Sequence, residues 1–258
     1  MYELQYSKPS SVNDAVAEIK KSSDAKFLAG GMTMIPTLKA RLSSADLLVD
    51  LKGSNLSNIS VSSSEVVVGS MTRHCDVASS SDIKASLPAL AKLAGGIGDH
   101  MVRSCGTIGG SLANNDPAAC YPSAVLGLGA TVVTNERSIT ADDFFEGMFE
   151  TALNEDEIIT EVKFPIPEKA SYIKFPNPAS RYAMVGVFMV KKADEISVAV
   201  TGAGENGVFR CKEIENVLNT KLAVEALDNI QISHDNLTSD IHASAAYRAN
   251  LIKEMAKK

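Results

Sequence analysis

Two short glycine-containing stretches are the most informative parts of this sequence: AGGMTM at residues 29–34 and TIGGS at residues 107–111. Each carries a pair of glycines followed by a hydroxyl residue, Thr33 in the first and Ser111 in the second. Glycine lets a ligand approach the backbone closely, and successive backbone N–H groups in a turn attract anions. If both stretches, here called the first and second glycine segments, face one ligand, that ligand carries a pyrophosphate and spans two lobes.

Neither glycine segment matches the common nucleotide-binding motifs. The chain has no GKS or GKT sequence of a P-loop, and no G-x-G-x-x-G sequence opens a predicted helix. The segments contain no basic residue, so a phosphate there would be held mainly by amide dipoles, which suits a pyrophosphate inside a larger cofactor. The alternative interpretation is that each glycine pair only satisfies a backbone turn that needs positive φ.

The composition is that of a soluble globular protein with one large or two modest domains: 258 residues, 45% of them hydrophobic and 22% charged. A net charge of −6 repels phosphate backbones and argues against nucleic-acid binding. The N-terminus lacks the basic-then-apolar pattern of a secretory signal. No apolar stretch reaches the roughly 20 residues that a transmembrane helix needs. We therefore expect a cytoplasmic protein with no transmembrane segment.

The cysteines and histidines predict no metal site. No two of the 4 cysteines have C-x-x-C spacing, which argues against a zinc ribbon or an iron–sulfur cluster held within this chain. We interpret Cys75, Cys105, Cys120 and Cys211 as small buried apolar side chains. The histidines, His74, His100, His234 and His242, lack the spacing of known metal motifs and are interpreted as surface or loop residues.

The pattern of apolar residues divides the chain into two predicted domains. Residues 1–167 alternate short strands and helices and form two α/β lobes, about 1–53 and 54–167. The Pro-Ile-Pro sequence that ends at residue 167 marks the boundary. Residues 168–258 contain three apolar runs separated by polar turns, which predict an antiparallel three-stranded sheet, followed by helical sequence over 218–227 and 240–255. The fold class is therefore α+β.

Several further motifs, taken with the glycine segments, give the sequence a family likeness. They are IGDHMVR at 97–103, DPAA at 116–119, ADDFF at 141–145, ASRYA at 179–183 and ASAAYR at 243–248. The combination resembles the FAD-binding medium subunit of the molybdenum hydroxylase family, which includes carbon monoxide dehydrogenase medium subunits and the flavin domain of xanthine dehydrogenase. The resemblance covers essentially the whole chain. It implies a two-lobed FAD-binding domain of the vanillyl-alcohol-oxidase type, followed by a smaller domain with an antiparallel sheet and helices.

The resemblance also implies which residues bind FAD. Residues 27–34 and 107–111 would wrap the diphosphate and ribityl chain, and Ile97 would lie near the flavin or its adenine side. Ile159 and Lys174 would approach the isoalloxazine. Tyr182 would cover one flavin face, the alternative being a buried tyrosine in the C-terminal sheet. The implied binding residues are Phe27, Leu28, Ala29, Gly30, Gly31, Met32, Thr33, Met34, Ile97, Thr107, Ile108, Gly109, Gly110, Ser111, Cys120, Ile159, Lys174 and Tyr182.

Cys120 departs from the family pattern. Relatives often carry an acidic residue at this position, where it bonds the cofactor. A thiol is a weak hydrogen-bond acceptor. The contact is therefore expected to be weakened, or replaced by water or by Asp116.

The implied activity is electron transfer through FAD. A large molybdenum-cofactor subunit would oxidise the substrate, a small [2Fe-2S] subunit would relay the electrons, and this chain would pass them to an external acceptor, within a dimer of heterotrimers. The flavin carries the redox chemistry, so no catalytic acid, base or nucleophile is assigned to this chain. Lys174 and Tyr182 are expected to tune the flavin. The alternatives are a stand-alone flavin-dependent oxidoreductase of the same superfamily and an FAD-free assembly subunit.

Overall fold

The N-terminal lobe is a small parallel sheet with two helices in the computed structural model, which describes residues 1–258. Its strand order is β1-β3-β2. Parallel neighbours require crossover connections, and the helices supply them. Ser11 caps the first helix by accepting from the Asp14 N–H at 3.1 Å. The elements are β1 (Gln5–Ser7), α1 (Val12–Ile19), β2 (Ala25–Leu28), α2 (Met34–Lys39) and β3 (Leu47–Asp50).

The second lobe combines an antiparallel sheet with a run of short helices. Its strand order is β4-β5-β10-β6-β7, and every neighbouring pair is antiparallel. Six of the helices, α3 to α8, lie between β5 and β6 in the chain, and they carry the second glycine segment. The elements are β4 (Ile59–Val61), β5 (Glu65–Gly69), α3 (His74–Ser79), α4 (Ser81–Ser86), α5 (Pro88–Gly95), α6 (His100–Cys105), α7 (Ile108–Asn114), α8 (Tyr121–Leu128), β6 (Thr131–Thr134), β7 (Ser138–Thr140), α9 (Ala141–Phe144), β8 (Phe145–Gly147), β9 (Glu150–Thr151) and β10 (Ile159–Pro165).

The C-terminal part is an antiparallel sheet with two helices, and the sheet has four strands instead of three. The three predicted strands are present. The additional strand forms only two register pairs with its neighbour, too few for an alternating pattern to be visible in the sequence. The first predicted helix, 218–227, corresponds to the end of a helix over Lys212–Thr220 and a 3-10 helix over Val224–Leu227. The second, 240–255, is present over Ala245–Ala256 and begins later because Ser244 caps it. The elements are β11 (Lys169–Pro176), β12 (Ala183–Lys191), β13 (Ile196–Thr201), β14 (Phe209–Arg210), α10 (Lys212–Thr220) and α11 (Ala245–Ala256).

The largest hydrophobic core joins the second lobe to the C-terminal sheet. It contains 30 buried residues, among them Tyr121 and Leu90 from the helices and Tyr172 and Phe188 from the C-terminal sheet. The second-lobe sheet ends at Pro165 and the next strand begins at Lys169. A domain boundary at residue 167 stays a prediction, since the side chains pack continuously across it.

Some predicted cysteine and histidine environments are wrong. Cys120 and Cys211 are buried as expected, but Cys75 is half-buried and Cys105 is exposed at the end of α6. His74 is buried, whereas the sequence analysis placed it at the surface, because α3 packs it against the ring of Tyr121 at a centroid distance of 5.4 Å. None of the helices is both long and apolar enough to cross a bilayer.

Candidate functional site

A cavity of about 490 Å³ lies where the three parts of the molecule meet. The first glycine segment lines one wall, the stretch from α5 to α8 lines the opposite wall, and Lys174 and residues 180–182 of the C-terminal part close it. Every residue that the resemblance implied for cofactor binding lines this cavity except Ile108. Ile108 is fully buried in the large core instead. The fold therefore brings residues that are distant in the sequence to one cavity.

The two walls of the cavity touch at glycine residues, where a side chain would collide with the facing wall. A Cβ added to Gly30 would lie 2.3 Å from the carbonyl oxygen of Cys105 and 2.7 Å from the Cα of Gly106. A Cβ added to Gly110 would lie 3.2 Å from the Cβ of Ala29. The first of these approaches is between two stretches of protein backbone, so Gly30 is required for the two walls of the cavity to touch.

The first glycine segment presents free backbone donors. The amide N–H groups of Gly30, Gly31, Met32 and Thr33 donate no hydrogen bond within the chain. The segment is nevertheless fixed, since the carbonyls of Gly31 and Thr33 accept from Ile35 and Thr37 at 3.0 and 3.1 Å. Gly31 has a φ of +73°, which favours glycine. Successive free N–H groups on a fixed loop form an anion site.

The second glycine segment is the beginning of a helix, and four of its five backbone amides donate within the protein; the Thr107 N–H alone donates no hydrogen bond within the chain. Thr107 caps α7, and its side chain accepts from the Gly110 N–H at 3.2 Å. The prediction of a bare backbone turn is therefore wrong for this segment. The other three donating amides are Ile108 to the Thr72 carbonyl at 3.1 Å, Gly109 to the Ser70 carbonyl at 2.8 Å, and Ser111 to the Thr107 carbonyl at 3.0 Å.

Close packing explains why the second segment contains glycine. A Cβ on Gly109 would lie 2.5 Å from the Cβ of Ser70 and 2.8 Å from its carbonyl oxygen. Ser70 follows the end of β5 and is itself buried. The glycine lets α7 lie directly on the end of that strand, so this segment builds the cavity wall and contributes the side chain of Ser111.

Lys174 ties three segments together beside the cavity. Its ammonium donates to the carbonyls of Gly96 and Arg181, the latter at 3.0 Å, and lies 3.7 Å from the sulfur of Cys120. Gly96 follows α5, and Arg181 lies in the loop between β11 and β12. One side chain of the C-terminal sheet thus fixes the loop that carries Tyr182.

Tyr182 stands at the cavity with 45% of its surface exposed. The alternative of a buried tyrosine within the C-terminal sheet is therefore wrong. Partial burial and the neighbouring groups Asp116 and Cys120 raise the pKa of its hydroxyl. The phenol therefore stays protonated at neutral pH.

Besides Arg181, two ionisable groups that were not predicted as site residues line the cavity, His74 and Glu157. Burial, together with the positive charge of Arg103, lowers the pKa of His74 from its ordinary value of 6.5 to about 4. Glu157 has a fully buried side chain that forms an ion pair with Arg137 at 3.0 Å. Burial by itself would raise the pKa of Glu157, but hydrogen bonds from Arg137, Asn154 and Thr134 lower it to about 2. No local sequence motif marks either residue.

Known proteins share both the sequence and the fold. Residues 2–167 match the family described as the FAD binding domain in molybdopterin dehydrogenase. The glyceraldehyde dehydrogenase medium chain of Sulfolobus acidocaldarius is 32% identical, with 99% of this chain and 96% of the relative covered. The carbon monoxide dehydrogenase medium chain of Hydrogenophaga pseudoflava is also 32% identical, with 99% of this chain and 95% of the relative covered.

A solved structure agrees with this assignment. The structure of reconstituted CO dehydrogenase from Oligotropha carboxidovorans superposes with a TM-score of 0.89 at 30% identity, over 99% of this chain and 96% of that one. FAD is the cofactor that this family binds, and the free amides of the first glycine segment fit its diphosphate. The chain belongs to the family of FAD-binding medium subunits of molybdenum hydroxylase-type dehydrogenases.

Proposed function

We propose that this chain is the electron-transferring FAD subunit of a heterotrimeric molybdenum hydroxylase in the cytoplasm. It accepts electrons from the iron–sulfur clusters of a small partner subunit, which receives them from a large molybdenum-cofactor subunit, and it passes them to an external acceptor. Two such heterotrimers pair in the complete enzyme. Relatives named as medium chains of dehydrogenases support this assignment.

The observation that carries the proposal is the set of four unused amides in the first glycine segment, set in a cavity lined by nearly all of the expected residues. The amides would hold the diphosphate, and the hydroxyls of Thr33 and Ser111 would support it. The side chain of Ile159 would lie against the isoalloxazine, Ile97 would lie near the flavin or its adenine side, and Tyr182 would cover one flavin face. The cavity volume of about 490 Å³ is within the usual range of ligand pockets, about 300–1,000 Å³.

The residues of this chain bind and orient the cofactor and require no acid–base pair. Bound FAD supplies the redox chemistry, since it accepts and releases electrons. Apolar side chains such as Leu28, Val102 and Ile158 line the cavity and keep water from its walls. The Lys174 ammonium places a positive charge at the wall, and that charge favours the reduced, more negative state of the flavin.

The assignment is tested by mixing separately purified parts of the complex. The full chain, loaded with FAD, is mixed anaerobically with the large and small partner subunits that have been reduced by their substrate. The visible flavin bands are then followed over time. We expect rapid bleaching that requires the small subunit.

Other outcomes identify the alternatives. Turnover of an organic substrate by the FAD-loaded chain alone would support a stand-alone oxidoreductase. A chain that takes up no FAD, alone or with its partners, would support an assembly subunit. Unchanged flavin bands in the presence of reduced partners would contradict the proposed electron path.

A further inference from the structure

Asp116 is a cavity-lining carboxylate without a basic partner. It lies between α7 and α8, and one of its oxygens accepts from the Ala118 N–H at 2.8 Å. The second oxygen receives no hydrogen bond within the chain, and the carboxylate forms no ion pair. The other acidic residue of the lining, Glu157, has both oxygens engaged by Arg137 and its neighbours. Asp116 is therefore the one carboxylate of the cavity wall with a free acceptor.

Hydrogen bonds from residues at the end of β13 in the C-terminal sheet hold the loop that carries Asp116. The hydroxyl of Thr201, which is fully buried, contacts the carbonyl oxygens of Pro117 at 3.0 Å and Ala119 at 2.6 Å. The Gly202 N–H donates to the Pro117 carbonyl at 2.8 Å. These bonds hold the loop at both sides of Ala118, so the carboxylate occupies a fixed place on the wall.

The chemistry of a fixed, free carboxylate oxygen selects the ligand group that it can bind. It accepts hydrogen bonds and donates none, and it repels a phosphate. The free amides of the first glycine segment attract the anionic part of the ligand, so we expect the phosphates at that segment rather than at Asp116. What remains of FAD that can donate to a carboxylate includes the hydroxyls of its ribityl chain and its ribose.

We propose that Asp116 is a cofactor-positioning residue that accepts a hydrogen bond from a ribityl or ribose hydroxyl of bound FAD. The inference rests on the proposed FAD site, because FAD supplies the hydroxyl. Partial burial raises the pKa of Asp116 above its ordinary value, and the charge of Asp116 in turn raises the pKa of Tyr182. The second of these effects means that the carboxylate lies near Tyr182, and both residues line the cavity.

The test measures the Kd of FAD for the full chain in its apo form, by quenching of flavin fluorescence, with Asp116→Asn as the main variant. Asparagine keeps the oxygen that accepts from Ala118, so the loop retains its fastening. Loss of one charge-assisted hydrogen bond is expected to raise the Kd of FAD about tenfold. Asp116→Glu keeps a carboxylate and is expected to recover part of the affinity. Asp142→Asn, at an exposed aspartate outside the cavity, is the matched control.

Two fragments of the cofactor locate the hydroxyl. Riboflavin 5′-phosphate contains the ribityl chain without the ribose, and ADP contains the ribose without the ribityl chain. A tenfold loss for riboflavin 5′-phosphate but not for ADP assigns the contact to the half of FAD that contains the ribityl chain, and the reverse assigns it to the half that contains the ribose. An unchanged Kd of FAD overturns the proposal, as does an equal loss for both fragments, which would mean a general effect on phosphate binding. Failure of the wild-type chain to bind FAD would instead contradict the proposed function.

Discussion

The two glycine segments look alike in sequence and serve opposite purposes in the structure. The first keeps four amides free and lies beside two small hydrophobic clusters of 7 and 4 buried residues. The second uses four of its five amides within the protein and lies against the core of 30 buried residues. One glycine pair leaves donors for a ligand, and the other removes side chains so that a helix and a strand can touch.

A glycine pair in a sequence therefore predicts that another group lies close to the backbone, but it does not show whether that group is a ligand or another part of the protein. At Gly109 the approaching group is the backbone of Ser70. In the first segment Gly30 approaches the Cys105 carbonyl, while the neighbouring N–H groups stay available. The segments should therefore respond differently to the same substitution, one in folding stability and the other in ligand affinity.

The largest effect is expected for Gly109→Ala. The added methyl group would overlap the backbone at Ser70 inside a packed core, so the free energy of unfolding should fall by about 3 kcal/mol. Urea denaturation of the apo-protein measures it. The control is Gly95→Ala in α5, where the new Cβ would approach only Ala78 at 3.8 Å, so stability should change by less than about 1 kcal/mol. Equal stability of the two variants would contradict the structural role of the second segment.

The next effect concerns His74, whose ring lies against Gly106 just before the second segment. Its pKa is lowered from 6.5 to about 4, so the folded state resists protonation and the unfolded state binds the proton. Stability is retained above pH 6.5 and is lost as the pH falls towards 4. The loss from this group between neutral pH and about pH 5 is about 2 kcal/mol.

The histidine effect is measured by urea denaturation of wild type and His74→Gln at several pH values. The variant should lack this part of the pH dependence. His234→Gln, at an exposed position, is the matched control and should keep the wild-type profile. A slope in His74→Gln as steep as that of the wild type would show that another group titrates.

A third effect is expected in the first segment. Gly30→Ala would push the loop away from the Cys105 carbonyl and displace the free amides, so the Kd of FAD should rise about tenfold, equivalent to one lost hydrogen bond to a charged group. Stability should change less than in Gly109→Ala, because this loop is partly exposed. If Gly30→Ala instead lost stability and kept its affinity for FAD, the proposed ligand-binding role of the first segment would be contradicted.

The smallest effect should be shared by both segments. Thr33→Val and Ser111→Ala each remove one hydroxyl from the cavity wall, and each should raise the Kd of FAD about threefold to tenfold. Thr220→Val, at an exposed position at the end of α10, is the control. A loss confined to Thr33→Val would mean that the second segment gives the ligand no polar contact.

The sequence predicted where the site lies better than how it is built. The glycine segments apart from Ile108, together with Ile97 and Tyr182, line the cavity, and each lies in a motif that resembles the family. Lys174 also lines the cavity, although it lies outside those motifs. The hydrogen bonds that the Ile108 and Gly109 amides donate end on the carbonyls of Thr72 and Ser70. Those carbonyls belong to a turn far away in the sequence, and any residue type could supply them, so no pattern reveals them.

Tertiary structure also explains the other places where the sequence-based prediction and the structure differ. His74 lies on a polar stretch of sequence and becomes buried only because Tyr121 and Gly106 pack against it. The strand Phe209–Arg210 is too short to show alternation. Ile108 was grouped with its glycine neighbours, but the helical geometry of α7 turns it into the core.

The core that crosses residue 167 has a consequence for dividing the protein. Cutting the chain there would expose Tyr121 and Leu90 on one fragment and Tyr172 and Phe188 on the other. Each fragment would carry a bare apolar face and aggregate. The N-terminal fragment would also lose Lys174 and Thr201, which hold two walls of the cavity. The proposed flavin site therefore needs both parts of the chain, although the matched family domain ends at residue 167.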